Sequence, residues 1–411
     1  MAYLAGGCVR DALLGKRPKD YDIATDATPE AVRGVFGKRR TIAFGASFGV
    51  IGVLPPKDRS DPEKDSSEQS TSSESGVGSV QRAGVEPTEV ATFRSDGHYS
   101  DGRRPDSVNY GDPRNDALRR DFTINGLFYD PQEQRVIDYV GGQSDLASGI
   151  LQTIGDPLQR FGEDRLRMLR AIRFATTLGF QIQPATLEAI QQHADEIAVV
   201  SGERIGAEMR RVLVSAQAFE GLRHLVSSGL DRVVIPEITD IDWDRLNRLL
   251  AHTNPRSFPL ALACLAIVIP DSKQGLSAID HRWRLSGEEL RQASSALQHW
   301  QSLVRARALP WSSVQPKLVL RDTSYIVALA DAVAAADGIP REGLELAIQA
   351  LEWPAEKLNP APLLTGSDLK NLGFQPGPQF SKLLTSLRDS QLDGEVTTRA
   401  QAVAWVKQLQ G

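Results

Sequence analysis

Asp20 and Asp22, two residues apart in the stretch KDYDIAT, are the first side chains whose type and spacing could do chemistry. On an extended backbone, residues i and i+2 point to one side, so both carboxylates converge and can hold a divalent cation. A solvated Asp pair on an edge strand meets the same spacing, and Asp-x-Asp alone is common. The upstream residues narrow the choice. In GGCVRDALLGKRPKDYD, Gly6 and Gly7 end a short apolar run in a form that lets backbone approach a phosphate, and Arg10 is placed to reach phosphate oxygens. A glycine pair can also serve only a tight turn. The ordered combination is more specific than any of its parts.

Such a site needs rigid elements around it. Residues 1–54 alternate short apolar runs, at 3–5 and 50–54, with a helical piece, PEAVRGVFG, whose Pro29 suits a first helical turn. The opening stretch MAYLAGGCVRD reads as a buried strand rather than a signal peptide. Residues 57–85 turn to Ser, Asp and Glu with almost no bulky apolar side chains. Burial there cannot offset the ordering entropy, and a disordered insertion is expected. EVATFR then resumes as a strand, which puts the insertion in a loop between two strands of one sheet. Residues 95–116, polar and turn-rich, read as a long flexible loop. FTINGLFYD and RVIDYV add apolar material before a turn at GGQSD, and beyond about residue 155 the apolar positions recur at helical spacing to the end. The predicted fold is an N-terminal α/β head followed by an all-helical remainder, without a fixed-period repeat.

Composition agrees with a multidomain globular chain: 411 residues, 41% hydrophobic and 24% charged, room for two to four domains at roughly 100 to 200 residues each. Cys8 and Cys264 cannot build a disulfide framework or a paired-cysteine zinc site, so a reduced, cytoplasmic protein with no disulfide partner is expected. No stretch approaches the roughly 20 apolar residues of a membrane span. The net charge of -5 argues against non-specific coating of nucleic acid. Arginine clusters at 103–104, at 119–120 and through Arg165, Arg167, Arg170 and Arg173 suit phosphate recognition at chosen places.

The motif GGCVRDALLGKRPKDYDIAT, followed in order by EVATFR, RRPDS, RRDFTINGLFYD, DYVGGQSDL and FGEDRLRMLRAIRFA, resembles the nucleotidyltransferase family of class II CCA-adding enzymes and bacterial poly(A) polymerases. The likeness covers most of residues 3–180. It implies an elongated molecule: a head at 1–145 with a small mixed sheet and helices, a helical neck at 146–215 that recognises the base, a helical body at 216–310, and a helical tail at 311–411 that binds tRNA. The implied activity is template-independent addition of C, C and A to a tRNA 3′ end from CTP and ATP. Mg2+ would be held by Asp20 and Asp22, with Glu89 as a third carboxylate; a solvent-facing strand Glu is the alternative for Glu89.

By the same resemblance, Arg119, Arg120 and Asp121 contact sugar and phosphates, an assignment that competes with a plain surface ion-pair cluster, and they join Gly7 and Arg10 as the expected nucleotide-binding residues. Gly126 departs from the family's usual Ala. On the stretch 163–175, expected to be one helix with Leu166, Leu169 and Ile172 buried, Asp164 and Arg167 match the base-reading motif. Cytosine and adenine each offer an amino donor beside a ring-nitrogen acceptor, so Asp164 can accept while Arg167 donates. Uracil and guanine would leave like groups facing each other, at about 1 to 3 kcal/mol per unpaired group. The resemblance also implies that Arg170 and Arg173 help bind the nucleotide, with helix surface charge as the alternative. The loop at 95–116 stands where similar enzymes carry the element that switches from C to A addition. SGERIGAEMRRVL would brace the base-reading helix, and Gly366, Asp368, Lys370 and Gly377 resemble a tRNA-contacting tail. The competing activities are a poly(A) polymerase, whose Gly-Arg-Arg-Phe element is replaced here by RTIAFGASFGVIGV, a CC-only or A-only enzyme, and an inactive RNA-binding protein.

Overall fold

In the computed structural model, which describes residues 1–45, 49–56, 87–97, 107–253, 256–375 and 377–408, the chain forms two units, Met1–Val199 and Val200–Gly411. Among the described residues of the first unit, seven strands make one sheet: β1 Ala2–Ala5, β2 Asp22–Thr25, β3 Thr41–Gly45, β4 Val50–Val53, β5 Thr88–Thr92, β8 Leu127–Asp130 and β9 Arg135–Asp138. Their order is β3-β4-β5-β2-β1-β8-β9. Only β2 and β5 run parallel, in the register Ile23↔Val90; the other pairs are antiparallel. A separate antiparallel ribbon joins β6 Arg94–Asp96 to β7 Val108–Tyr110.

Strand alternation divides the sheet's side chains between two cores. Ala5 and Ala24 leave room on one face for Phe93 and Phe128, whose rings meet edge-on at 6.0 Å with Tyr3 packed beside them. Burying each Phe contributes about 1.5–3 kcal/mol. Ile23, Ile51, Val53 and Val90 face the other way and pack against Val32 of helix α2, Pro29–Phe36. That helix starts where Thr28 accepts the Ala31 N–H and Pro29 takes the first turn. Helix α1, Gly7–Leu13, leaves β1 through Gly6.

Four sequence expectations change. The segment 95–116 is not one loop: β6 and β7 pair, and helix α3, Pro113–Leu118, is capped by Asp112; residues 98–106 lie outside the described residues. GGQSD is not a turn but part of helix α4, Gly142–Ser148, because Asp138 accepts the backbone N–H groups of Val140, Gly141, Gly142 and Gln143 at 2.9–3.1 Å. The stretch 163–175 is not one helix. Helix α5, Pro157–Glu163, stops, and α6, Leu166–Leu178, starts anew with the Asp164 carboxylate accepting the Leu166 N–H at 3.0 Å. A short Asp side chain satisfies a first-turn donor better than continued helix does. Finally, the region beyond the head is not wholly helical, since β10 Ile150–Leu151 pairs in parallel with β11 Gln181–Ile182. The expected insertion at 57–85 lies outside the described residues. Its flanking strands β4 and β5 are neighbours in the sheet, as a loop insertion requires.

In the second unit every described regular element is helical. The helix Phe258–Ala266 is buried along its whole length, and Trp283 is fully buried with its indole N–H donating to the Val234 carbonyl at 2.8 Å. Leu303, Val314, Ile326 and Leu344 centre one core, and Leu364, Leu369, Leu387 and Val406 another. Asp368 closes a capping box with Thr365.

Candidate active site

Asp22 opens β2 opposite Ala5, and the parallel register of Ile23 with Val90 sets Glu89 beside it on β5. Asp20 is not on the strand itself; it stands exposed in the bend that precedes β2. Burial and then the charge of Asp20 push the Asp22 carboxyl above its ordinary range, with Arg120 opposing them. Burial, Asp22 and Asp20 push Glu89 up in the same way. The three carboxylates therefore repel one another, which is what a bound dication would relieve, and hard oxygen donors suit Mg2+. Among the described residues, no three His, Cys, Asp or Glu side chains are already gathered into a group that could hold a metal ion.

The arginines beside them are held by a connected set of bonds. Gly6 turns the chain with φ +71°, which favours glycine, and its N–H donates to Leu127 at 2.9 Å. Arg10, on α1, donates to Asp11 at 2.8 and 2.7 Å and to Asn125 Oδ1 at 2.7 Å. Asn125 Nδ2 donates to Asp121 Oδ1 at 3.0 Å, which also accepts the Phe122 N–H at 2.8 Å. Arg170, from α6, donates through Nε to Asp121 Oδ2 at 2.9 Å. Burial alone would raise the Asp121 carboxyl, but Arg170 and these hydrogen bonds hold it far below the usual carboxylate range.

Arg119 and Arg120 share one buried carboxylate. Asp116 on α3 is 1% exposed, receives Arg119 at 2.7 Å and Arg120 at 3.0 Å, and is kept below its ordinary value by both against its burial. Arg120 also donates to the Asn125 carbonyl at 3.2 Å. Its Nη1 would stand 2.7 Å from a Cβ built on Gly6. Gly6→Ala is therefore expected to displace Arg120 and to raise the apparent KM for nucleoside triphosphate roughly threefold to tenfold, with about 1 kcal/mol of lost stability from the positive φ. Steady-state kinetics beside thermal melting would check both effects. At Gly126, an added Cβ would meet Val140 at 2.7 Å, so this departure from the family's usual Ala goes with local packing.

Where α5 meets α6, Glu163 gathers two arginines: Arg160 at 2.9 Å and Arg167, which also donates to the Arg160 carbonyl at 3.0 Å. Leu166, Leu169 and Ile172 are buried as expected. Arg173 lies against the ring of Phe174. The structure thus links Arg170 to Asp121 directly and Arg10 to Asp121 through Asn125, places Arg120 within charge reach of Asp22, and sets Asp164 and Arg167 around the helix junction. Gly7 opens α1, close to the Arg10 guanidinium. Asp116, Asn125 and Phe174 were not singled out in the sequence. The spacing of Asp116 to Arg119 and Arg120, three and four residues along, was a readable signal; the other two needed the fold.

A mixed sheet that aligns carboxylates at the start of two parallel neighbours, backed by an arginine network, defines a nucleotidyltransferase head. Residues 2–152 match the family model described as "Poly A polymerase head domain", and residues 179–242 match "Probable RNA and SrmB- binding site of polymerase A". Over 98% of this chain and 92% of the relative, the sequence is 30% identical to the CCA-adding enzyme of Levilactobacillus brevis. The chain belongs to the CCA-adding enzyme family. Poly(A) polymerase I of Salmonella typhi is 36% identical over 58% of this chain and 47% of its own length. The crystal structure of the Bacillus stearothermophilus CCA-adding enzyme in complex with CTP superposes with a TM-score of 0.75 at 27% identity, covering 100% of this chain and 93% of that one.

Proposed function

We propose that the protein adds C, C and A to the 3′ end of tRNA from CTP and ATP, using Mg2+. The carrying observation is that one unit joins mutually repelling carboxylates, Asp20, Asp22 and Glu89, to an arginine network anchored on Asp121 and Asp116. Full-length similarity to CCA-adding enzymes supports this activity over poly(A) synthesis, since the poly(A) polymerase match covers little more than half of the chain.

Asp20 and Asp22, with Glu89, would hold the metal, which when bound lowers the pKa of the primer hydroxyl and offsets charge on the leaving pyrophosphate. Arg10, Arg120, Arg170 and Arg173 bind triphosphate oxygens through guanidinium forks, and Gly7 lets backbone approach them. Arg119 steadies this group by sharing Asp116. Asp121 holds Arg170 in place and borders the sugar. Asp164 accepts from the base amine and Arg167 donates to the ring nitrogen. Glu163 holds the Arg167 guanidinium for this task. The neck, body and tail at 146–215, 216–310 and 311–411 would carry base recognition and tRNA binding. A cytoplasmic location suits two free, buried cysteines; among the described residues no helix is long and apolar enough to cross a membrane.

The test uses tRNA transcripts lacking CCA, ending in C, ending in CC, or complete, each with one labelled nucleotide and Mg2+. Two C additions followed by one A, then arrest, is the expected result. Long A tails on unrelated RNA would instead establish a poly(A) polymerase, and arrest after CC a partial enzyme.

A further inference from the structure

Arg165 heads the series Arg165, Arg167, Arg170 and Arg173, yet its partners set it apart from the other three. It stands between α5 and α6, directly after Asp164. Its Nη1 donates to the Phe161 carbonyl in the last turn of α5. Its Nε pairs with Glu196 Oε2 at 2.5 Å. Glu196 lies in the 3-10 turn Ala194–Val199, which is anchored by the buried side chains of Ala194 and Ile197. The second carboxylate oxygen, Oε1, accepts from His193 Nδ1 at 2.8 Å, at the end of the helix Pro184–His193. One guanidinium thus ties the end of α5 to a turn distant in sequence.

These bonds act where the backbone pattern breaks. The last carbonyls of a helix have no intrahelical partner, and α5 is followed by one extended residue, Asp164 at φ −148° and ψ 108°, before α6 begins. Arg167 donates to the Arg160 carbonyl and Arg165 to the Phe161 carbonyl, so two arginines from beyond the break satisfy successive carbonyls of α5. Arg165 then carries the link outward to Glu196. The turn of the chain at this break sets where the Asp164 carboxylate stands relative to the Arg167 guanidinium. Arg170 is fixed separately, by Asp121. Hydrogen bonds to a base edge hold only over a narrow range of distance and angle, so a looser break weakens contacts to the base before contacts to phosphate.

We propose that Arg165 is a positioning residue for base selection: bonded to Phe161 and Glu196, it fixes the helix break that sets Asp164 against Arg167. The proposal rests on the base-reading roles given above to those two residues, and it extends them. Its effect falls on the base and not on the triphosphate.

The experiment measures Kd for CTP, ATP, UTP, GTP and inorganic tripolyphosphate by calorimetry with Mg2+, and KM and kcat on a tRNA primer, with melting curves for every variant. Arg165→Met, which keeps the apolar stem, is expected to reduce the preference for CTP over UTP and for ATP over GTP about threefold to fivefold, the scale of one partly exposed ion pair with a charge-assisted hydrogen bond. Kd and KM for CTP and ATP should rise by that factor, while kcat stays within about twofold of wild type and tripolyphosphate binding is unchanged. Arg165→Lys, whose single nitrogen cannot reproduce the two-pronged grip, should fall between wild type and Arg165→Met. Glu196→Ala should act in the same direction, and the two changes together should do no more than Arg165→Met alone, because both break one link. A partly exposed pair adds little to global stability, so these variants should melt close to wild type. Unchanged base preference in folded Arg165→Met and Glu196→Ala would overturn the proposal, as would an equal loss of affinity for tripolyphosphate. Asp164→Ala separates this role from the reading beneath it. A preference lost there but intact in Arg165→Met removes only the positioning role; a preference intact in both removes base reading by Asp164, and the proposal with it.

Discussion

Replacing Asp20 and Asp22 together by alanine should abolish nucleotide incorporation, a fall of at least about a thousandfold in kcat, equivalent to about 4 kcal/mol of transition-state stabilisation. The same variant should melt no lower than wild type. Burial and the neighbouring charge of Asp20 raise the Asp22 carboxyl, so its ionised form is unfavourable in the folded protein at neutral pH and its removal relieves repulsion on Glu89. Incorporation and melting measured on one preparation separate the two effects. More than a tenth of wild-type activity in the double variant would remove these carboxylates from the chemistry, and a large drop in melting temperature would make them structural.

Asp121→Asn should have the largest effect on stability. The amide keeps the shape but leaves Arg170 without its countercharge and disturbs Asn125, through which Arg10 is held. Breaking a buried pair costs about 3–5 kcal/mol. Arg170 is 33% exposed, so screening by solvent brings the expectation down to about 2–3 kcal/mol. The pH dependence has a definite sign. The folded-state pKa of Asp121 is depressed, so its contribution is fully present above the unfolded value near 3.9 and is lost as pH falls toward the folded value. The gap between wild type and Asp121→Asn should therefore be constant from about pH 5 upward and shrink below about pH 4. Denaturant unfolding across that range tests it; a gap that widens in acid would assign the low pKa to another group. Nucleotide KM should rise as well, since two arginines lose their anchor.

Much of this arrangement is legible in the chain because it sits in short contiguous motifs. The glycine turn before Arg10 and the short apolar runs that became β1 and β4 are local, and local geometry follows from backbone periods; the Asp20–Asp22 spacing also marked its place, although Asp20 lies in the bend before β2 and not within the strand's period. Less legible were the ends of elements. Asp164 stops one helix and starts the next by bonding the Leu166 N–H, and Asp138 converts GGQSD into a first helical turn by taking four backbone donors. In both places a side chain competes with the backbone pattern, and composition does not say which prevails.

Residue types and spacing pointed to a carboxylate pair and a phosphate-binding turn, and the family resemblance added the expectation of a base-reading pair at Asp164 and Arg167, because each kind of chemistry needs particular donors, acceptors and charges at short spacing. Partnership was another matter. That Glu89 lies beside Asp22 depends on a parallel register between strands distant in sequence, that Asp121 pairs with Arg170 depends on how α6 packs, and that three arginines share Phe174 depends on α1 and α6 meeting. Charges act through space, so which of them neutralise, repel or wait for a ligand is settled only when the chain has brought them within a few ångströms.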